Sequence, residues 1–68
     1  MIERPLDLLN ESKGKNVLLT LKNGKVLRGT LLAFDIHINI VLDNTEEVDG
    51  KSLGLTFVRG DAIIHISK

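Results

Sequence analysis

Polar and apolar positions change their rhythm at Asn16. Before it, Leu6, Leu8 and Leu9 cluster within residues 5–13, among Asp7, Asn10, Glu11, Ser12 and Lys13. Leu6 and Leu9 are three apart, so one side of a short helix would be apolar. Pro5 suits the first helical position, where its missing N–H would be unpaired anyway. Gly14 can end the helix in a left-handed conformation. A helix this short does not hold alone in water, so it must lie on an apolar surface.

From Asn16 onward the pattern is that of strands. Asn16–Lys22 and Lys25–Phe34 flank Asn23-Gly24, the strongest short-range hairpin signal, because both residues tolerate positive φ. Gly29 in mid-strand predicts a bend or bulge. A third strand is expected at about 36–43, with Ile36, Ile38, Ile40 and Leu42 on one face and His37, Asn39 and Val41 on the other. Residues 44–51 read as a polar hairpin connection, 53–58 as the fourth strand, Arg59-Gly60-Asp61 as a tight turn and 62–67 as the fifth strand. The expected fold class is mainly β, a short N-terminal helix capping a small, partly open five-stranded antiparallel barrel. One domain should span 1–68, with the helix at about 5–13 and the barrel at about 16–67. The last two strands are rich in Leu, Ile, Val and Phe, and an apolar open edge invites another copy. Head-to-tail pairing of this kind closes into a ring when the rotation permits.

Length strengthens that expectation. A chain of 68 residues buries only about 60% of its unfolded surface, so its own core is marginal. Disulfides, a metal or oligomerisation are the usual remedies. There is no cysteine, and two histidines cannot build a structural tetrahedral site. Self-association remains. No apolar run approaches the roughly 18 residues that span a membrane, and Met1–Pro5 lacks the basic start of a signal peptide. A cysteine-free chain of this kind is expected in the cytoplasm.

Nine basic and nine acidic residues cancel, but six of the basic ones fall in residues 1–34 and six of the acidic ones in 35–68. A nucleic-acid site must therefore be local and shaped, since bulk charge cannot hold a polyanion. Asp35, His37 and Asn39, at i, i+2 and i+4, would share one face of an extended strand. On spacing alone they read first as turn and strand-end polar residues. A metal site from Asp35, His37 and His65 lacks a recognised ligand spacing, and His65 is expected at the surface or at an interface. No nucleophile stands with a base and no glycine-rich phosphate loop is present, so binding is expected, not catalysis, with no cofactor.

Two segments together resemble a known family. Phe34-Asp35-Ile36-His37-Ile38-Asn39 is similar to the first signature of the Sm and Sm-like (LSm) proteins, and Phe57-Val58-Arg59-Gly60-Asp61-Ala62-Ile63 to the second. Arg4-Pro5-Leu6-Asp7, Asn23-Gly24 and Gly29 also match, so the resemblance covers nearly the whole chain. It implies a strongly bent barrel joined through its fourth and fifth strands into a ring, with a site for single-stranded uridine-rich RNA on the inner rim. By position, His37, Asn39 and Arg59 would form the base pocket, Asp35 and Asp61 would support it, and Gly60 would let the turn approach the base. His37 and Arg59 are planar groups that can sandwich a base. The Asn39 amide offers one donor and one acceptor, matching O4 and N3–H of uracil. A free amide could turn over to suit cytosine, so Asp35 is expected to accept from the Asn39 NH₂ and fix its direction.

Departures from the family pattern narrow the expectation. Ile38 stands where methionine is common, the 43–51 segment is short, and no basic or glycine-arginine tail follows. Arg-Gly-Asp replaces the lysine-histidine pair of the bacterial hexameric relative. An archaeal-type homo-oligomer is implied, a heptamer first and a hexamer second, acting in RNA processing, stability or chaperoning alongside RNA-processing proteins. The rival expectation is a scaffold or protein-interaction ring with little RNA binding of its own.

Overall fold

The computed structural model describes residues 5–67; Arg4 lies outside them. Helix α1 (Pro5–Ser12) is followed by β1 (Asn16–Leu21), β2 (Val26–Phe34), β3 (Ile40–Glu47), β4 (Ser52–Val58), a single 3₁₀ turn at Gly60–Ala62, and β5 (Ile63–Ser67). Gly14 leaves the helix at φ +82°, the left-handed exit that glycine permits. One antiparallel sheet runs in the order β4-β3-β2-β1-β5. It curls around Leu9 of the helix, Val17, Leu19, Leu27, Leu31, Ile40, Leu42 and Val58, all buried. No helix among the described residues is long and apolar enough to cross a membrane.

The β1–β2 hairpin forms where expected, by a different turn. Gly24 alone of the pair has positive φ, +87°. Its N–H donates to the Leu21 carbonyl at 2.9 Å, while the Asn23 side-chain oxygen accepts from Lys25 N–H at 2.9 Å. Asn23 thus stays in ordinary backbone space and uses its side chain to close the turn.

The third strand is displaced from its expected place. Residues 35–39 form a tight loop, and β3 begins only at Ile40 and runs through Glu47. Ile36 is not in the core but 75% exposed, and Ile38 sits at φ +62°, outside strand geometry. The alternation of isoleucines imitates a strand. The Asp35 carboxylate decides otherwise by capturing N–H groups that a ladder would need. The expected connection at 44–51 shrinks to the turn after Glu47, where Lys25 Nζ meets Glu47 Oε1 at 3.2 Å.

Gly29 marks a bulge, as its place in β2 suggests. Arg28 pairs with Glu46 and Thr30 with Asp43, so Gly29 faces both Asn44 and Thr45. A Cβ on Gly29 would lie 3.0 Å from the Asp43 carbonyl oxygen and 3.1 Å from Thr45 Oγ1, so only glycine fits without displacement. Thr45 is fully buried and its Oγ1 has no hydrogen-bond partner. A buried hydroxyl without a partner costs about 1–3 kcal/mol. Thr45→Val should therefore raise stability by about 1 kcal/mol in urea unfolding; a fall in the midpoint would show that the hydroxyl is satisfied in solution.

Candidate nucleic-acid interface

The candidate interface is built from two loops brought together by the curl of the sheet. Phe34 and Ile40 are partners at the ends of β2 and β3, leaving a loop of Asp35, Ile36, His37, Ile38 and Asn39. Ile38 N–H donates to the Asp35 carbonyl at 3.0 Å, and Asp35 N–H to the Asn39 carbonyl at 3.2 Å. This is a short hairpin loop closed by a left-handed residue. A β-branched residue at positive φ is strained, and the strain is held by Ile38 packing against the core.

Asp35 organises the loop from within. Its Oδ1 accepts from His37 N–H at 2.9 Å and from Asn39 N–H at 3.1 Å. Its Oδ2 accepts from Asn39 Nδ2 at 3.0 Å. The Asn39 amide above all, joined by those backbone donors, holds the Asp35 carboxyl below its ordinary value. Hydrogen bonds to the charged form favour it over the neutral one.

The second loop completes the arrangement. Gly60 N–H donates to Asn39 Oδ1 at 2.8 Å, joining residues that are 21 apart in sequence. The Asn39 amide is therefore oriented from both sides, its NH₂ toward a carboxylate and its oxygen toward an N–H. Turning it over would set oxygen against oxygen at Asp35 and donor against donor at Gly60. One N–H and one lone pair remain unused, because each end of the amide can make two bonds.

Gly60 is required here for space. It is not among the positive-φ glycines, but a Cβ there would overlap the His37 carbonyl oxygen and lie 2.9 Å from that of Ile38. The expected tight turn is present, and within it the close approach of two backbones is what requires glycine. Arg59 Nη2 lies 3.5 Å from Asp61 Oδ2, both side chains well exposed, a pairing worth little in water. The guanidinium stays free to move onto a ligand. His37 is exposed, and its ring makes no hydrogen bond among the described residues. Sequence spacing placed Asp35, His37 and Asn39 on one strand face; the structure gathers them by a loop instead, and joins them to Gly60 by a bond that spacing could not reveal.

A bent five-stranded sheet under an N-terminal helix, with paired loops at Asp35–Asn39 and Arg59–Asp61, is the architecture of an Sm-type small barrel. The LSM-domain model matches residues 7–68. An Sm-like protein of Pyrococcus furiosus is 46% identical over 71 residues, covering 98% of this chain and 93% of its own length. The chain belongs to the LSM-domain family. Among solved structures, the Sm protein of Pyrococcus abyssi in complex with a uridine heptamer superposes with a TM-score of 0.89 at 45% identity, covering 96% of this chain and 97% of that one. A heptameric archaeal Sm protein superposes at 0.83 and 39% identity, covering 90% and 94%. The Sm-like protein of Methanococcus vannielii superposes at 0.90 and 38% identity, covering 100% and 99%.

Proposed function

We propose that the protein assembles into a homo-oligomeric ring, a heptamer first, that binds single-stranded uridine-rich RNA at a pocket repeated around its inner rim. His37 and Arg59 sandwich the base, Asn39 reads its edge, Gly60 and Asp61 shape the second loop, and Asp35 supports the first. The observation that carries this is the two-sided fixing of the Asn39 amide. An amide held this way presents a donor for O4 and an acceptor for N3–H of uracil, and opposes both groups of cytosine. The uridine-bound and heptameric neighbours support the same reading.

Assembly follows from the sheet. Its two open edges are β4 and β5, and they carry Leu55 at 69%, Phe57 at 62% and Ile64 at 65% exposure. Pairing β4 of one copy with β5 of the next would extend the ladder and cover these side chains. One base stack supplies only about 1–3 kcal/mol, so repetition around a ring is what produces useful affinity. The protein acts by binding, not catalysis, in the cytoplasm and within RNA metabolism.

Native mass spectrometry with oligouridine and oligocytidine tests this directly. A seven- or six-subunit ring that gains oligouridine alone is expected. Asn39→Ala and Arg59→Ala should each lower oligouridine affinity at least ten-fold, the scale of one lost stack or base contact, while the ring persists. A ring indifferent to both oligomers would move the function to scaffolding.

A further inference from the structure

The outer face of the sheet holds a second polar recess, separate from the two loops. It is an open recess of about 400 Å³, lined by Asn16 of β1, Arg28, Gly29 and Thr30 of β2, and Asn44 and Glu46 of β3. That volume lies within the range of small-molecule sites. The bulge opposite Gly29 creates it. Asn44, at φ +51°, is the extra residue, and its insertion shifts the alternation so that Asn44 and Glu46 are exposed while Thr45 turns inward. Bulges re-aim side chains in this way and are common beside functional sites.

Arg28 and Glu46 are direct partners across β2 and β3, where opposite charges ordinarily close on each other. Here they do not. Among the described residues the ion pairs are Lys25–Glu47 and Arg59–Asp61, and neither Arg28 nor Glu46 makes a side-chain hydrogen bond. A guanidinium and a carboxylate thus flank one recess with their hydrogen-bonding capacity unspent. Thr30 Oγ1 donates to Asn16 Oδ1 at 3.2 Å, leaving the Asn16 NH₂ and the whole Asn44 amide as further partners.

The charge balance selects the ligand class. Glu46 offsets Arg28, and Asp43 stands opposite Thr30, two residues along β2 from Arg28, so phosphate gains nothing from the recess. A neutral ring with acceptors on one edge and donors on another gains from both sides. Guanine has N7 and O6 for the Arg28 fork, and N1–H and N2–H for the Glu46 carboxylate. Adenine would set its N6 amino group against the guanidinium and its N1 lone pair against the carboxylate. We propose that this recess is a second nucleobase site, selective for guanine. It lies on the three inner strands, so ring closure through β4 and β5 leaves those lining residues off the pairing edges.

Titrating the full-length protein with guanosine, adenosine and uridine monophosphates, followed by backbone amide NMR shifts, tests this apart from the uridine pocket. Guanosine monophosphate should move Gly29, Thr30 and Asn44 with an affinity about ten-fold or more above that of the adenosine nucleotide, the discrimination typical of one bidentate contact. Glu46→Gln and Arg28→Ala should each abolish that response and leave any uridine response at Asn39 and Gly60 unchanged. Equal responses to guanosine and adenosine nucleotides, or guanosine shifts confined to 35–39 and 59–61, would overturn the proposal. An oligouridine carrying one guanosine, compared with one carrying adenosine, separates the sources: tighter binding assigns the base to an RNA strand, equal binding to a free nucleotide.

Discussion

Gly60→Ala should destabilise the protein by about 1–3 kcal/mol, the range for forcing a methyl group into a filled site, and remove oligouridine binding. The added Cβ would overlap the His37 carbonyl oxygen, and both the carbonyl oxygen and carbon of Ile38 would lie within 3.0 Å. All three are backbone atoms, and the loop that bears them is tied down by Asp35. No rotamer change can relieve the overlap, so the two loops must separate. Separation breaks the 2.8 Å bond from Gly60 N–H to Asn39 and releases the amide. Urea unfolding and an oligouridine titration read the two effects separately. Wild-type values for both would show that the loops do not meet in solution.

Asp35→Asn should leave the ring intact and weaken its preference for uracil over cytosine. The substitution keeps size and shape but places an amide where the Asn39 NH₂ now donates to a carboxylate at 3.0 Å. With that side unlocked, Asn39 is held from the Gly60 side alone, and turning the amide over costs less than in the wild type. The preference lost is about ten-fold or more, the scale of leaving donors and acceptors opposed at a base edge. Competition between oligouridine and oligocytidine measures it, and an unchanged ratio would sink the role assigned to Asp35.

The same carboxylate sets an acid limit. Its folded pKa lies below the ordinary 3.8, so the order it confers is complete above that value and lost as pH falls through the lower folded one. Uracil preference in the wild type should therefore persist down to about pH 4 and fade below it. In Asp35→Asn the acid edge of the profile should disappear. An acid edge that survives in the variant would assign it to another group.

Much of this was legible from residue order. Pro5 and Gly14 bound the helix, Asn23-Gly24 places the first hairpin, Gly29 marks the bulge, and the apolar last strands announce open edges. These are local effects: a missing N–H, a missing Cβ or a two-residue period acts within a few positions. The third strand misled because its isoleucine alternation is equally local. The competing term is one carboxylate, and whether it captures N–H groups depends on where the loop sits.

What the sequence by itself determined is the set of parts: a short helix, five strands, an excess of apolar edge, and the residue types of the two loops. Their family signature follows from the same letters. Only the tertiary structure decided that Gly60 grips Asn39 from the side opposite Asp35, that Gly60 is needed for space, and that Arg28 and Glu46 flank a recess without pairing. Each of these depends on atoms distant in sequence meeting within hydrogen-bond or van der Waals range. The curl of the sheet sets that distance, and no period along the chain encodes it.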